Sequence, residues 1–287
     1  MLRISVIMRS YNNAGVIEET LTALFAQRLR NFELINVDSG STDGTVGIIK
    51  KFNSTLIQIP PSEYKPGRVL NRAIEKSQGD WLVFLNSDAT PVGTRWLEAL
   101  IAPLGHSKVA ATFGCQRPRK DARPGVRRDY QRAFGNGNHP EWKRYFFSLA
   151  NSAIRRDLWE VHPFSEALQF SEDVEWAFRA RKAHLCVEYV PEACVVHSHN
   201  YTVPETWRRF VGEGEADAKI FPWSAWRGSF LRYALLPYFA DVIRDMAFSL
   251  SLGTVRGMVE SPIYRAAEKY GRYWGFRKGK RQCPSPC

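Results

Sequence analysis

The sequence predicts an α/β protein, a mainly parallel sheet flanked by helices with a C-terminal helical extension, and three observations carry that prediction. Apolar runs of strand length alternate with helix-like segments from the N-terminus onward. Polar clusters fall directly after several of those runs, where open α/β sheets hold their ligands. After Tyr201 the apolar residues change to the three- and four-residue steps of helices.

In order, the first run covers residues 3 to 8 and is followed by Ser10-Tyr11-Asn12 and a helix-like segment near 15 to 27. A second run, 33 to 38, ends at Asp38-Ser39-Gly40. Gly40 and Gly44 permit a close turn there, and Asp43 is placed to cap the helix-like segment at 44 to 51. A third run at 55 to 59 leads into a helix near 67 to 77. The fourth, 81 to 86, ends at Asn86-Ser87-Asp88, before the turn Ala89-Thr90-Pro91 and a helix near 93 to 104. The fifth run lies at 108 to 113.

Residues 115 to 143 break the alternation with Pro118, Pro124, Gly125, Gly135, Gly137 and Pro140 among many cations, which predicts a long, mobile, basic loop. Periodic structure resumes near Tyr145, passes through a helix opening at Ser171 and reaches strand-like runs at 185 to 190 and 193 to 197. Between Phe230 and Leu250 the apolar residues Leu231, Ala234, Leu235, Tyr238, Phe239, Val242 and Met246 recur at helical steps. A domain at 1–204 and a basic, amphipathic helical region at 205–287 follow from this pattern.

The 287 residues carry 44% apolar and 24% charged residues, an ordinary globular balance with room for a sizeable core. The net charge of +11 is local. Residues 115 to 144 hold nine Lys/Arg against three Asp/Glu, and residues 205 to 287 hold fourteen against eight, so both stretches are expected to face something anionic. Five cysteines, Cys115, Cys186, Cys194, Cys283 and Cys287, lack metal-site spacing, and their odd number suits a reducing cytoplasm. The start reads as a strand rather than a secretory signal, and charges interrupt the best candidate for a spanning helix.

Three acidic segments could carry chemistry. A carboxylate at Asp38 can accept from a ribose hydroxyl or a base N–H, although a turn followed by a cap accounts for the same residues. Asn86 and Asp88, two apart at a strand end, are expected on one side, where Asp88 can bind a hard divalent cation that neutralises a diphosphate. Glu172 and Asp173 fall in a first helical turn, which favours acids whatever their function; near a leaving group, such a carboxylate can take a proton from an attacking hydroxyl. His197 and His199 follow a strand and can complete a metal site.

With these residues in view, the chain resembles the family 2 glycosyltransferases of GT-A fold from Ile4 to about Tyr201. It is most similar in flavour to rhamnosyltransferase-like members that build bacterial O-antigen, capsule or other surface polysaccharide. The resemblance rests on Val6-Ile7-Met8-Arg9-Ser10-Tyr11-Asn12, the Asp38 to Thr45 segment, Pro66-Gly67-Arg68-Val69-Leu70-Asn71, Phe84 to Pro91, Ser171-Glu172-Asp173 and His197-Ser198-His199. It implies a nucleoside pocket lined by Ser10, Tyr11, Asn12 and Asp38, with Ser39, Gly67, Arg68, Asn71, Asn86 and Ser87 as further nucleotide-binding candidates. It implies Mg²⁺ or Mn²⁺ at Asp88 with His197 and His199, and Asp173, with Glu172 beside it, as base of an inverting transfer. Asn86 replaces the first aspartate of the family motif and removes one negative charge from the metal site. The implied partners are a nucleotide-diphosphate sugar and a glycan or polyprenyl-diphosphate-linked acceptor, at the cytoplasmic face of the plasma membrane.

Other functional classes fit the same residues less well. The isoelectric point near 9.5 and the arginine-rich segment with Tyr130, Phe134 and Trp142 suit nucleic-acid binding, but no reader motif is present and no nucleic-acid partner is expected. An inactive GT-A scaffold would not need Asp88, Asp173 and two histidines. A nucleotidyltransferase would use a glycine-rich basic loop that the N-terminus lacks. For residues 205 to 287, peripheral membrane contact, packing on the core and a homodimer are the alternatives.

Overall fold

The computed structural model describes residues 3–135, 146–224 and 226–282. Two compact units are present. The first comprises Met1–Arg119, Ala133–Leu168 and Glu172–Ser198; the second comprises Lys120–Arg132, Gln169–Ser171 and His199–Cys287.

The first unit opens with the predicted alternation: β1 (Ile4–Ser10), α1 (Ile17–Phe25), β2 (Glu33–Asp38), α2 (Thr45–Ile49), β3 (Thr55–Gln58), α3 (Pro66–Glu75) and β4 (Trp81–Asn86). It continues through β5 (Thr90–Pro91), α4 (Trp96–Ile101), β6 (Val109–Arg117), β7 (Asn151–Arg155), α6 (Arg156–Val161), α7 (Glu172–Lys182) and β8 (Cys186–Val196), while α5 (Pro124–Phe134) precedes β7 in the chain. The eight strands form one sheet in the order β3-β2-β1-β4-β7-β6-β8-β5. Pairings from β3 to β4 are parallel. Beyond β4 the sheet is mixed, because β7 runs antiparallel to both β4 and β6, and β5 is antiparallel to β8. Pairing between β6 and β8 is again parallel, so the sheet is mainly parallel as expected, with the antiparallel pairings confined to the part beyond β4.

Alternation along β1 sends Val6 and Met8 to one face of the sheet, where Leu21 and Leu24 of α1 and Trp96 and Leu100 of α4 cover them. Each such fully buried aliphatic side chain contributes about 1.5–3 kcal/mol. On the central strand β4, Phe84 meets Phe164 edge-on at 5.6 Å between ring centroids. Asn151, fully buried at the start of β7, donates to the carbonyls of Cys115 and Ala193 and accepts from the Trp96 indole, tying β6, β8 and α4 together. The runs read separately at 185 to 190 and 193 to 197 are one strand, β8, with a register shift in its pairing with β6.

In the second unit α8 (Val203–Ile220), α9 (Leu236–Ser251) and α10 (Arg256–Gln282) dominate, with a π-helical turn at Leu231–Leu235 leading into α9. Thr202 and Glu205 form a capping box at the start of α8, each side chain satisfying a backbone N–H of the other. The segment 115 to 143 is not a loop throughout: α5 is helical because Pro124 is acceptable in a first turn, and Arg128 is drawn into ion pairs with Asp241 of α9 (2.9 Å) and Asp245 (2.5 Å). Residues 136–143 of that expectation lie outside the described residues, as do Cys283 and Cys287. Among the described residues no helix is long and apolar enough to cross a membrane.

Candidate active site

Three polar strand ends converge at one edge of the parallel half of the sheet. The Ser10 hydroxyl at the end of β1 bonds Asn36 Oδ1 (2.9 Å) and Asp38 Oδ2 (3.0 Å) on β2. Asn12, in the left-handed conformation at φ 48°, receives the Thr42 N–H on its side-chain oxygen and donates its own N–H to Ser41. Ser87, after β4, donates to Asn13 Oδ1 (2.8 Å), while the Asn13 N–H reaches Thr45. The loop after β1 is thus clamped to the ends of both neighbouring strands, and Tyr11 projects from it half exposed.

Asp38 is fully buried, and its oxygens accept from the Ser10 and Ser41 hydroxyls and from the N–H groups of Gly40 and Ser41. Its first task is therefore to fix the turn through Ser39 and Gly40, whose φ of 86° needs glycine. The N-cap position of α2 is Gly44, not Asp43; Asp43, one residue earlier, accepts from the Thr45 N–H and hydroxyl and from the Ala14 N–H, and these hydrogen bonds, led by that from the Thr45 side chain, keep its carboxyl below the usual range.

The Gly67-Arg68-Asn71 group lies on α3 and grips the chain before α7. A side chain at Gly67 would come within 2.2 Å of the Ser165 carbonyl oxygen. Arg68 pairs with Glu166 at 3.1 Å. Buried Asn71 donates to the Phe164 carbonyl and Glu166 and accepts from the Trp159 indole and the Phe164 N–H, which uses all four of its hydrogen-bonding positions. The geometry gives Asn71 a positioning task and leaves it no free edge for direct nucleotide contact.

The two acids of α7 are placed differently. Arg9 of β1 donates to Glu172 at 2.8 Å, and both side chains are largely buried. Burial opposes the Arg9 charge, but Tyr64, Glu172 and Asp173 together hold its pKa above the ordinary arginine value. Among the described residues Asp173 has no such partner at contact distance; burial first, then the Glu172 charge, push its carboxyl up to about 7, against hydrogen bonds from the Val174 and Leu149 backbone and the Arg9 charge. Ser171, where this helix was expected to open, precedes it with a left-handed φ of 61°.

Asp88 does not continue β4. The strand stops at Asn86, whose carbonyl accepts the Ala89 N–H in a tight turn that contains Ser87 and Asp88. The same-side argument for Asn86 and Asp88 consequently fails. Asp88 is held instead through its backbone, where Arg119 donates to its carbonyl at 2.7 Å. Its Oδ1 lies 3.6 Å from His197 Nε2, longer than a direct hydrogen bond and less than twice the roughly 2.1 Å of a donor–ion bond, so both can reach one ion. His197 Nδ1 meets Gln116 Oε1 at 2.9 Å, and the Gln116 amide nitrogen donates to Ser148. With the amide so oriented, Nδ1 carries the proton and Nε2 turns its lone pair toward Asp88. His199, separated from His197 by one residue, is the third member of this potential metal-binding group among the described residues, and its ring stacks on Tyr201 at 4.9 Å. The carboxylate and imidazole donors fit a divalent ion of the Mg²⁺ to Mn²⁺ type.

Gln116, Arg119 and Arg9 were not foreseen as parts of the site. Arg9 had a signal, a lone cation within an apolar strand; Gln116 and Arg119 had none, because β6 was expected to end at 113. The cations of the 115 to 144 stretch are also less available than their number suggests. Arg123 donates to the Tyr201 carbonyl and stacks on Tyr264, Arg127 donates to the Ala122 carbonyl, and Arg128 is ion-paired.

Residues 5–170 match the model of glycosyl transferase family 2. The O-antigen chain rhamnosyltransferase WbaN of Salmonella anatum is 32% identical over 76% of this chain and 73% of its own length. RfbN of Salmonella typhimurium, also an O-antigen chain rhamnosyltransferase, is 29% identical over 77% of this chain and 74% of its own. The mannosyltransferase PcManGT of Pyrobaculum calidifontis, solved with GDP-Man and Mn²⁺, superimposes with a TM-score of 0.67 at 20% identity, covering 97% of this chain and 87% of that one. The sheet has the GT-A architecture of such glycosyltransferases, and the chain belongs to glycosyl transferase family 2.

Proposed function

We propose that the protein is an inverting glycosyltransferase that moves a sugar, rhamnose first among the candidates, from a nucleotide-diphosphate donor to a glycan or polyprenyl-diphosphate-linked acceptor in bacterial surface polysaccharide synthesis. The observation that carries this reading is the unequal pair on α7. Glu172 is neutralised by Arg9, and Asp173 keeps a carboxyl near 7, suited to accept a proton at neutral pH.

Asp173 takes the proton from the acceptor hydroxyl as that oxygen bonds to the anomeric carbon; the bond from that carbon to the diphosphate breaks, and the electron pair leaves with the nucleoside diphosphate. One displacement inverts the anomeric centre without a covalent enzyme intermediate. Asp88, His197 and His199 would hold the divalent ion, which when bound supplies positive charge against the departing diphosphate. Gln116 keeps His197 in the tautomer that can ligate, and Arg119 fixes the Asp88 backbone. The loop Ser10 to Asn13 and the turn after Asp38 would line the nucleoside pocket, with Tyr11 available to stack on the base.

The names of WbaN and RfbN support rhamnose and O-antigen, and the ligands of PcManGT support a metal-dependent nucleotide-sugar site. A panel of nucleotide sugars, dTDP-rhamnose included, incubated with short glycan acceptors tests the proposal, with the anomeric configuration of the product read by NMR. Inverted rhamnoside formation is the expected result. A retained configuration would remove Asp173 from the mechanism, and turnover only with another donor would remove rhamnose.

A further inference from the structure

Helix α9 is patterned the wrong way round for a water-exposed surface. Its inward side carries Asp241, Asp245 and Ser249, all under 5% exposed, while Leu236, Phe239, Ile243 and Leu250 are 53–65% exposed. Steps of three, four and seven residues place those four on one stripe. The first turns of α10 repeat the inversion: Ser261 and Arg265 point inward, and Val259 and Ile263 are 71% and 54% exposed. Leu252 and Val255, at the connection between the helices, are exposed as well. A helix that buries its acids and offers its aliphatic side chains outward presents a surface made to be covered.

We infer that this face, α9 with the first half of α10, seats on an anionic lipid bilayer, the two helices lying in the interface plane. The charges choose this occupant. Arg232, Arg244 and Arg256 are exposed beside the apolar stripe, Arg244 at 3.5 Å from Asp241 and Arg256 at 2.8 Å from Glu260, while the acids of α9 are turned inward. Two copies of the face packed symmetrically would set these arginines against one another. A layer of anionic headgroups complements them, and the long arginine stems let the charge reach that layer while the aliphatic residues enter the acyl boundary. Ile263 also lines, with Val203, Trp207, Arg208 and Tyr270, an apolar cavity of about 550 Å³, room for a lipid chain beside a cation.

Co-sedimentation of the full chain with phosphatidylcholine vesicles, with and without phosphatidylglycerol, tests this. Binding should require the anionic lipid, weaken as salt rises, fall about fivefold in Arg232→Gln and fall by about tenfold or more in Ile243→Glu. Circular dichroism should show both variants folded, and Val259→Ser serves in place of Ile243→Glu should that variant unfold. Absence of co-sedimentation by the parent chain overturns the inference, as does equal binding by Ile243→Glu and Val259→Ser. A dimer in light scattering that Ile243→Glu dissociates would assign the face to a second copy instead.

Discussion

Arg9 stands in an otherwise mostly apolar strand, and its pairing with Glu172 leaves Asp173 as the acid to which the proposed mechanism gives the proton transfer. Asp173→Asn should therefore lower transfer by ~10²-fold or more with donor affinity retained, as titration calorimetry and turnover would show together. Wild-type kcat/KM should rise with pH through about 7 as Asp173 loses its proton. The sign for stability is opposite. A carboxyl at about 7 in the fold and 3.8 when unfolded contributes stability below 3.8 that is lost as pH rises through 7. At pH 8 the Asn variant should melt no lower than the parent; a lower Tm would mean that the charged form is stabilised by contacts outside this account. The neighbouring tautomer lock gives a second test at this scale. Gln116→Leu, which removes the acceptor for His197 Nδ1–H, should weaken Mn²⁺ binding by ~10–100-fold in direct titration, the usual effect of losing a ligand's support. Unchanged Mn²⁺ affinity would take His197 out of the ligand set.

The glycines of α10 show what element-level packing demands. Gly271, Gly275 and Gly279 recur every four residues, and a Cβ at Gly275 would fall 2.0 Å from the Val211 carbonyl oxygen of α8. Gly214 of α8 meets the Arg272 carbonyl oxygen of α10 in the same manner, at 2.1 Å. These helices touch backbone to backbone, so Gly275→Val should destabilise by about 3 kcal/mol, the upper range for overpacking, and lower Tm correspondingly. A shift of less than a degree would mean that the helices can part at little cost. The same elements mark how far sequence reasoning reached. Strands β1 to β4 and their helices were legible because each is a short apolar run ended by polar turn residues. β7 was not, since Asn151-Ser152-Ala153-Ile154-Arg155 carries two buried polar residues, and the groups that satisfy Asn151 lie far along the chain. α5 was missed for a similar reason: Pro124, Gly125 and four arginines between 123 and 132 read as loop, and the ion-pair partners of the helix, Asp241 and Asp245 for Arg128 and Arg265 for Asp129, lie more than a hundred residues away. In the candidate site, Asp88, Asp173 and His197 were visible as residue types at strand ends and a helix start. Gln116 and Arg119, which position them, depend on register between strands and left no local mark.

At the scale of the whole molecule the two units differ in what they bury: the sheet unit has a large apolar core, while the helical unit adds a network of buried ions to a small apolar cluster of Ala218, Tyr233 and Phe276. Arg265 pairs with Asp245 at 2.7 Å, Asp129 at 2.8 Å and Glu268 at 2.5 Å, while Lys269 reaches Asp241 at 2.8 Å, and Asp245 is 1% exposed. Burial raises the Glu268 carboxyl, yet the Lys269 and Arg265 charges outweigh it and bring it down to about 2; Asp241 is held below the usual range in the same way. For these depressed groups the stability is present above the unfolded values of 3.8 and 4.5 and disappears as pH falls toward 2. The helical unit should accordingly weaken below about pH 4.5, in the same range where protonated Asp173 favours the sheet unit. Removing one member of the network should cost far more than removing a matched pair. Asp245→Leu leaves Arg265 and Arg128 facing an apolar side chain and should destabilise by about 3–5 kcal/mol in urea unfolding, whereas adding Arg265→Met should recover a large part of that loss. The double variant would still have Arg128 to satisfy through Asp241, so full recovery is not expected. If the double variant loses as much as Asp245→Leu and Arg265→Met added together, the ions act independently and the network description fails.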